Sequence, residues 1–180
     1  ARFVSTNTDR STTFFAMIMA SLSDNYIGNS TTIASRSTLN VNGVELQPGA
    51  QLSQPVNLDG YRTLRSFVSY GVPLGFIKSN LNFTANFNYT RTPELINDVL
   101  NFSSSPTVGL GWVLSSNISE KVDFTLSSNS SFNTVNNTLQ TVSSTDYFSQ
   151  GTRLRLNLIL GEGLVFRSTV NHTYNSGLTE

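Results

Sequence analysis

The chain lacks cysteine and has a single histidine, His172, among its 180 residues. Without cysteine there can be no disulfide framework and no thiolate chemistry. One histidine also excludes a metal site built from several imidazoles. We therefore expect neither a bound metal nor any other cofactor.

Charge is the second scarce feature. Charged residues make up 12% of the chain, whereas an ordinary soluble domain carries about 25%. The 11 basic residues balance the 11 acidic ones. Because no net positive charge attracts phosphate backbones, nucleic acid is not an expected partner.

Long apolar runs are the third absence. No stretch of about 18 apolar residues occurs, so no transmembrane helix is expected. Spanning β-strands are not excluded, because they need only about 9–11 residues of alternating character. The first ten residues, ARFVSTNTDR, contain no signal-peptide hydrophobic segment and are interpreted as a mature or cut end.

Alternation of apolar and polar residues is what the chain does contain. Leu81, Phe83 and Phe87, for example, alternate with asparagine and threonine. A period of two predicts a strand with one apolar and one polar face, and no stretch has the helical period. The pattern covers eight segments: residues 2–7, 13–22, 61–70, 79–91, 107–114, 122–133, 153–160 and 164–174.

The segment 61–70 departs from clean alternation. Arg62 and Leu64 share one parity with Val68, while Arg65 and Phe67 occupy the other. A β-bulge would rephase such a strand, since it inserts one extra residue into the ladder.

The connections between segments alternate in length. Short turns begin at Gly71, Ser116 and Gly161, whereas longer polar stretches cover residues 34–54, 91–98 and 134–146. Short turns on one side and long loops on the other are typical of up-and-down barrels in outer membranes. We predict one all-β domain over residues 1–180, an antiparallel up-and-down transmembrane β-barrel of about eight strands or a segment of a larger barrel.

Two environments suit strands with an apolar and an uncharged polar face. In a soluble sandwich the polar faces meet water and usually carry lysine and glutamate, but Lys78 and Lys121 are the only lysines here. In a membrane barrel the apolar stripe contacts lipid and neutral polar groups line a wet lumen. We favour the barrel, in which an arginine at mid-bilayer would cost about 2–4 kcal/mol. The residues predicted to face lipid are Leu81, Phe83, Phe87, Leu154, Leu156 and Leu158.

Strand-and-turn motifs are distributed along the chain: PVNLDGY (55–61), FVSYGVPL (67–74), IKSNLNF (77–83), NYTRTP (88–93), SSNISEKVDFTLS (115–127) and YNSGL (174–178). The sequences of these motifs resemble the barrel of TonB-dependent-receptor-like outer-membrane proteins of the Bacteroidota type, and the resemblance covers residues 13–178.

This resemblance implies location in the outer membrane of a Gram-negative bacterium. It further implies uptake of a substrate or a structural part in an outer-membrane assembly. Barrels of that family have 22 strands, a plug domain and a TonB-contacting segment, and neither of the last two is visible in the sequence. The final residues, NSGLTE, do not form a closing strand that ends in an aromatic residue. The expected partners are therefore the lipid bilayer and the rest of a larger barrel or other outer-membrane proteins.

Four charged residues are candidates for a polar cluster in the lumen. Arg153 and Arg155 share the polar parity of one segment, Arg167 has that of the next, and Asp123 that of the preceding one. Such a cluster would bind an anionic solute or contact a plug, or it would be a salt-bridged network that only neutralises charge. The sequence leaves both interpretations open.

No catalytic arrangement is recognisable, and we do not expect an enzyme. His172 has the apolar parity, and Ser168 lies four residues away on the same face, more than about 12 Å along a strand. The carboxylates are scattered without the spacing of an acid–base pair. If a ligand is recognised, loops 34–54 and 134–146 and the lumen would recognise it.

Two alternatives to a transport protein remain. One is a soluble β-sandwich or adhesin domain rich in asparagine, serine and threonine. The other is a small, complete eight-stranded barrel with a filled interior and no transport role.

Overall fold

A computed structural model of the chain describes residues 1–41, 43–116, 119, 121–139, 145–161 and 163–177. The strands are β1 (Arg2–Asn7), β2 (Thr12–Ser23), β3 (Tyr26–Ile33), β4 (Leu39–Val41), β5 (Val44–Leu46), β6 (Gln51–Leu58), β7 (Tyr61–Leu74), β8 (Ser79–Ile96), β9 (Val99–Ser116), β10 (Val122–Asn137), β11 (Thr145–Leu160) and β12 (Leu164–Ser176). One 3₁₀ turn, Gly75–Ile77, joins β7 to β8.

The strands form one long antiparallel meander. Its order is β1-β2-β7-β8-β9-β10-β11-β12, and each neighbour pairs antiparallel. The prediction of an all-β, antiparallel up-and-down fold is confirmed, and the eight predicted segments are these eight strands. Among the described residues the sheet does not close, because β1 and β12 lie at opposite ends of the order.

The pairing of β7 continues without a slip along its whole length. It runs from Arg62↔Arg91 to Leu74↔Ser79 with β8, in constant register. The proposed β-bulge is therefore wrong. Phe67 instead remains on the polar side of the sheet, where its ring packs 5.9 Å from that of Phe15 on β2. The contact with Phe15 covers part of the Phe67 ring, which a bulge would otherwise have moved to the apolar face.

The predicted loop at residues 91–98 is also wrong. Strand β8 continues to Ile96, and only Asn97 and Asp98 separate it from β9. Both residues have positive φ angles, 50° and 62°, as a two-residue hairpin turn of the I′ type requires. Asparagine and aspartate tolerate this left-handed conformation. The predicted loop 34–54 is wrong in part, since it contains the β4–β5 hairpin and the start of β6. The predicted turn at Gly71 begins later, because β7 continues to Leu74. The predicted turns 116–120 and 161–163 and the loop 134–146 lie partly outside the described residues.

Two strands that the alternation did not predict, β3 and β6, form a hairpin at the end of the sheet where β8 turns into β9. Strand β3 pairs antiparallel with β6 and makes a short parallel contact with β8, Ser30↔Leu95 and Thr31↔Ile96. The turn residue Asn97 fastens it, because its Oδ1 accepts a hydrogen bond from the Ile33 amide at 2.7 Å. We call this end of the sheet the hairpin end and the opposite one the short-turn end.

The hairpin end contains the most tightly packed polar group of the described chain. Asn101 is only 1% exposed. Its Nδ2 donates to Glu94 Oε1 at 2.6 Å, and its Oδ1 accepts from Thr138 Oγ1 at 2.9 Å and from the Leu139 amide at 3.0 Å. Both the nitrogen and the oxygen of its side-chain amide are hydrogen-bonded, so burying Asn101 costs little free energy. These bonds link β8, β9 and the end of β10.

A hydrophobic core is otherwise nearly absent from the described residues. Apart from Pro93 on β8, the only buried apolar side chains among the described residues are Ala34, 2% exposed, and Leu46, 6% exposed. Both lie around the β4–β5 hairpin, away from the eight-stranded meander. The meander is a single layer with two open faces.

Gly28 provides a test of how the β3–β6 hairpin is held. A Cβ at this position would lie 2.8 Å from the carbonyl oxygen of Pro93 on β8 and 3.1 Å from Leu58 Cδ1. We expect Gly28→Ala to push β3 away from β8, and therefore to speed amide hydrogen exchange in Ser30–Ile33 by about tenfold or more, since overpacking costs about 1–3 kcal/mol. Gly151→Ala is the matched control, because a Cβ there meets nothing within 4 Å. Equal exchange in both variants would contradict the docking.

Candidate functional site

The register assigns every side chain of the meander to one of two faces, because directly paired residues point to the same side. We call the apolar face the one that carries Phe83. Six apolar residues from six consecutive strands lie level on it: Val72, Leu81, Leu114, Leu126, Leu154 and Val170.

The apolar face is open to its surroundings. Phe83 is 47% exposed, Leu110 52% and Val170 58%. These values are far above those of core residues in a soluble protein, because no described element packs over them. All six residues predicted to face lipid lie on this face: Leu81, Phe83, Phe87, Leu154, Leu156 and Leu158.

The apolar residues form a band that crosses the strands obliquely. On β2 the band is centred at Ile18, which the ladders place level with Ser176 on β12. On β12, however, the leucine, phenylalanine and valine residues of this face, Leu164, Phe166 and Val170, are centred about nine residues closer to the short-turn end, or roughly 30 Å at about 3.3 Å per residue. Tyr174 lies on the hairpin side of this group and is not counted in its centre. The steps between neighbouring strands from β2 to β12 sum to about 29 Å at about 4.8 Å each. The band is thus inclined by about 45° to the direction across the strands.

The opposite side, which we call the polar face, is lined with uncharged hydrogen-bonding groups along β8, β9 and β10. Thr107 Oγ1 donates to Asn133 Oδ1 at 3.0 Å, and Asn88 Nδ2 donates to Asn86 Oδ1 at 3.2 Å. Gly109 makes room for Asn86, because an added Cβ would overlap the asparagine amide. The result is a shallow polar surface that suits contact with water.

The four charged residues predicted to cluster do share the polar face. Asp123 is paired with Asn157, and Asn157 is paired with Arg167 on the next strand. Asp123 accepts hydrogen bonds from Asn157 Nδ2 and from Ser116 Oγ, each at 3.2 Å. Arg153 donates through Nε to Asn171 Oδ1 at 2.8 Å. Since neutral groups hold both Asp123 and Arg153, the guanidinium groups of the cluster keep donors for another acceptor.

A concavity of about 500 Å³ lies within this cluster, near the short-turn end. Lys121, Arg155 and Arg167 line it together with the single carboxylate of Asp123. Three cations against one anion give its wall a positive charge. The arrangement can hold a small anion or an acidic side chain.

A polar network interrupts the apolar face near His172. Gln150 Nε2 donates to Ser128 Oγ at 2.9 Å, and Thr152 Oγ1 lies 3.4 Å from the same serine oxygen. His172 is paired with Thr152 and therefore lies beside this network. Sequence reasoning missed it, although polar residues at even positions in segments 122–133 and 145–160 were a visible signal.

Neither a metal site nor a spanning helix is found in the described part of the chain. No group of three or more histidine, cysteine, aspartate or glutamate side chains there is placed to hold an ion. Its helical content offers no segment long and apolar enough to cross a membrane.

Comparisons with protein-family models, curated proteins and solved structures returned no match to this chain. The physical character of the two faces is therefore the basis on which a function is inferred.

Proposed function

We propose that this chain is a membrane-spanning segment of an outer-membrane β-barrel in a Gram-negative bacterium. Its apolar face contacts the hydrocarbon of the bilayer, and its polar face lines the lumen. In line with the sequence resemblance, the barrel is of the TonB-dependent-receptor-like type and acts in substrate uptake or as a structural part of an outer-membrane assembly.

The uncovered apolar face is the observation that carries this proposal. Leaving a leucine or phenylalanine side chain in water rather than burying it costs about 1.5–3 kcal/mol. Exposed leucine, phenylalanine and valine side chains recur across the strands of the meander, so the total cost in water would exceed the stability of a typical domain. Lipid removes this cost without a second protein layer.

The oblique band is independent support. Strands of membrane barrels tilt by about 35–45° from the barrel axis, so a horizontal slab of hydrocarbon meets neighbouring strands at progressively shifted residues. The incline of about 45° in the apolar band is what such a tilt produces. On β2, the apolar residues from Phe14 to Leu22 span nine positions, close to the length needed to cross a bilayer at this tilt.

The two open edges of the meander support a segment of a larger barrel. Strand β12 is 13 residues long and leaves one row of backbone donors and acceptors unpaired. Unpaired backbone groups in hydrocarbon cost several kcal/mol each. Further strands of a larger barrel would pair with β12 and β1 and remove this cost.

The distribution of charge on the polar face indicates which kind of solute the barrel would take up. On the central strands β8, β9 and β10 the polar-face residues between Glu94 at the hairpin end and Asp123 at the short-turn end are uncharged. The positive concavity lies near the short-turn end, which faces the periplasm in barrels of this kind. A solute moving along these strands would pass neutral groups before it reaches the cations of Lys121, Arg155 and Arg167. An anionic solute fits this order better than a cationic one.

A charge scan on the two faces tests the proposal. Phe83→Arg and Leu156→Arg place a guanidinium in the hydrocarbon, at about 2–4 kcal/mol each near mid-bilayer. We expect both variants to lose most of the carbonate-resistant membrane fraction in a Gram-negative expression host. Asn82→Arg and Asn157→Arg are the matched controls on the polar face and should insert like the wild type.

The same scan distinguishes an apolar face in lipid from an apolar face in water. Phe83 is already 47% exposed, so an arginine there would cost little in water and would even improve solubility. Equal tolerance of arginine on both faces would therefore reject the assignment of lipid to the apolar face.

Behaviour of the purified chain gives a second test. We expect sedimentation to show a dispersed particle in detergent micelles and large aggregates after the detergent is removed, because the apolar face then associates with itself. A stable monomer in detergent-free buffer would instead favour the soluble sandwich or adhesin domain.

A further inference from the structure

Positive charge on the apolar face is confined to one place. Among the described residues of the meander, only two lysine or arginine side chains lie on this face, Arg62 on β7 and Arg91 on β8. They are direct cross-strand partners. The polar face, by contrast, carries cations on several strands, among them Arg65 and Arg155.

This pairing is unfavourable unless an anion compensates it. Directly opposite residues have Cβ atoms about 4.5–5.5 Å apart, and like charges at that position destabilise a sheet. In the part of the chain that the structure describes, neither arginine forms an ion pair with a carboxylate. Asp59 Oδ1 accepts from the Asn25 amide, and Glu94 lies on the polar face, where it accepts from Asn101.

The neighbours of the pair orient it for a ligand. The guanidinium carbon of Arg91 lies 3.8 Å from the centre of the Phe102 ring, so this cation is stacked and half-buried. Stacking on a ring uses the face of the guanidinium and leaves its in-plane N–H donors available. Beside it, the hydroxyl groups of Tyr89 and Ser104 lie 3.5 Å apart and add two more polar atoms.

The position along the strands indicates the source of the anion. On β7 the apolar residues of this face end at Leu64, and on β8 Arg91 interrupts them after Tyr89, before Pro93 and Leu95 at the hairpin end. Arg62 and Arg91 follow immediately towards the hairpin end. If the chain spans a membrane as proposed above, the pair therefore lies at the level of the lipid headgroups in the leaflet nearest the hairpin end, where an arginine is far less unfavourable than at mid-bilayer.

We propose that Arg62 and Arg91 form a binding site for a phosphate group, which an anionic lipid headgroup presents from the membrane. Guanidinium groups bind phosphate through paired N–H donors, and two of them side by side match the charge of a phosphate monoester. The shared chemistry is phosphate recognition, and free phosphate is the competing source. The lipid assignment rests on the proposed function, whereas the pairing of the two arginines does not.

Titration of the full chain in micelles of an uncharged detergent tests the site. Phosphatidic acid is the probe, diacylglycerol with the same acyl chains is the uncharged control lipid, and sodium phosphate is the free anion. Intact-mass measurements count the lipids retained. We expect one retained phosphatidic acid per chain, no retained diacylglycerol, and displacement of the lipid only by a large excess of sodium phosphate.

Variants assign the binding to the arginine pair. Arg62→Gln and Arg91→Gln should each weaken phosphatidic acid binding by about tenfold or more, since a hydrogen bond to a charged group contributes about 1.5–3 kcal/mol. Arg91→Lys keeps the charge but loses the stacked, paired donors and should retain part of the affinity. The matched control is Arg65→Gln, which removes an arginine from the same strand on the other face and should bind like the wild type.

The outcomes separate this site from the proposed function. A variant that combines Arg62→Gln with Arg91→Gln should bind phosphatidic acid most weakly. Unchanged phosphatidic acid binding in this double variant, or an equal loss of binding in Arg65→Gln, would overturn the site while leaving membrane insertion intact. Equal affinity for sodium phosphate and for phosphatidic acid would keep the site but replace the lipid by a soluble phosphate. If the chain is monomeric without detergent, the proposed function fails, and the sodium phosphate titration in plain buffer then decides for or against the arginine pair.

Discussion

The structure depends on one constraint, which is that a single-layer sheet must find cover for its apolar face outside the described chain. Of the residues that the structure describes, only Ala34, Leu46 and Pro93 are buried apolar side chains, so packing within this part of the chain supplies little of the stability. Backbone pairing holds the strands together, but it does not compensate for leucine and phenylalanine side chains in water. The proposal of a lipid environment follows from this imbalance.

The same constraint accounts for features that otherwise look unrelated. A lumen that is wet but confined needs hydrogen-bonding groups rather than high charge, which fits the asparagine, serine and threonine of the polar face. In the proposed membrane a cation near mid-bilayer would cost about 2–4 kcal/mol, which fits the position of Arg62 and Arg91 on the hairpin side of Leu64 and Tyr89. Unpaired edges at β1 and β12 fit a sheet that continues into further strands.

The hairpin end is built on a different principle. There the β3–β6 hairpin docks against the tip of β8, and the buried side-chain amide of Asn101 on β9 bonds Glu94 of β8 and the two residues that follow β10 by one and two positions, Thr138 and Leu139. Hydrogen bonds and close backbone approach at Gly28, rather than apolar area, hold this region.

Alternation determined most of the eight strands and the composition of the two faces, because a period of two is a local property that each strand carries by itself. The short connections between the strands indicated an antiparallel meander. Pairing is non-local, and only the tertiary structure decided it. The unbroken register of β7, the two-residue turn at Asn97 and Asp98, and the β3–β6 hairpin all depend on contacts with distant strands. The juxtaposition of Arg62 and Arg91 belongs to the same group, since residues 29 positions apart become neighbours only when β7 and β8 pair in one particular register.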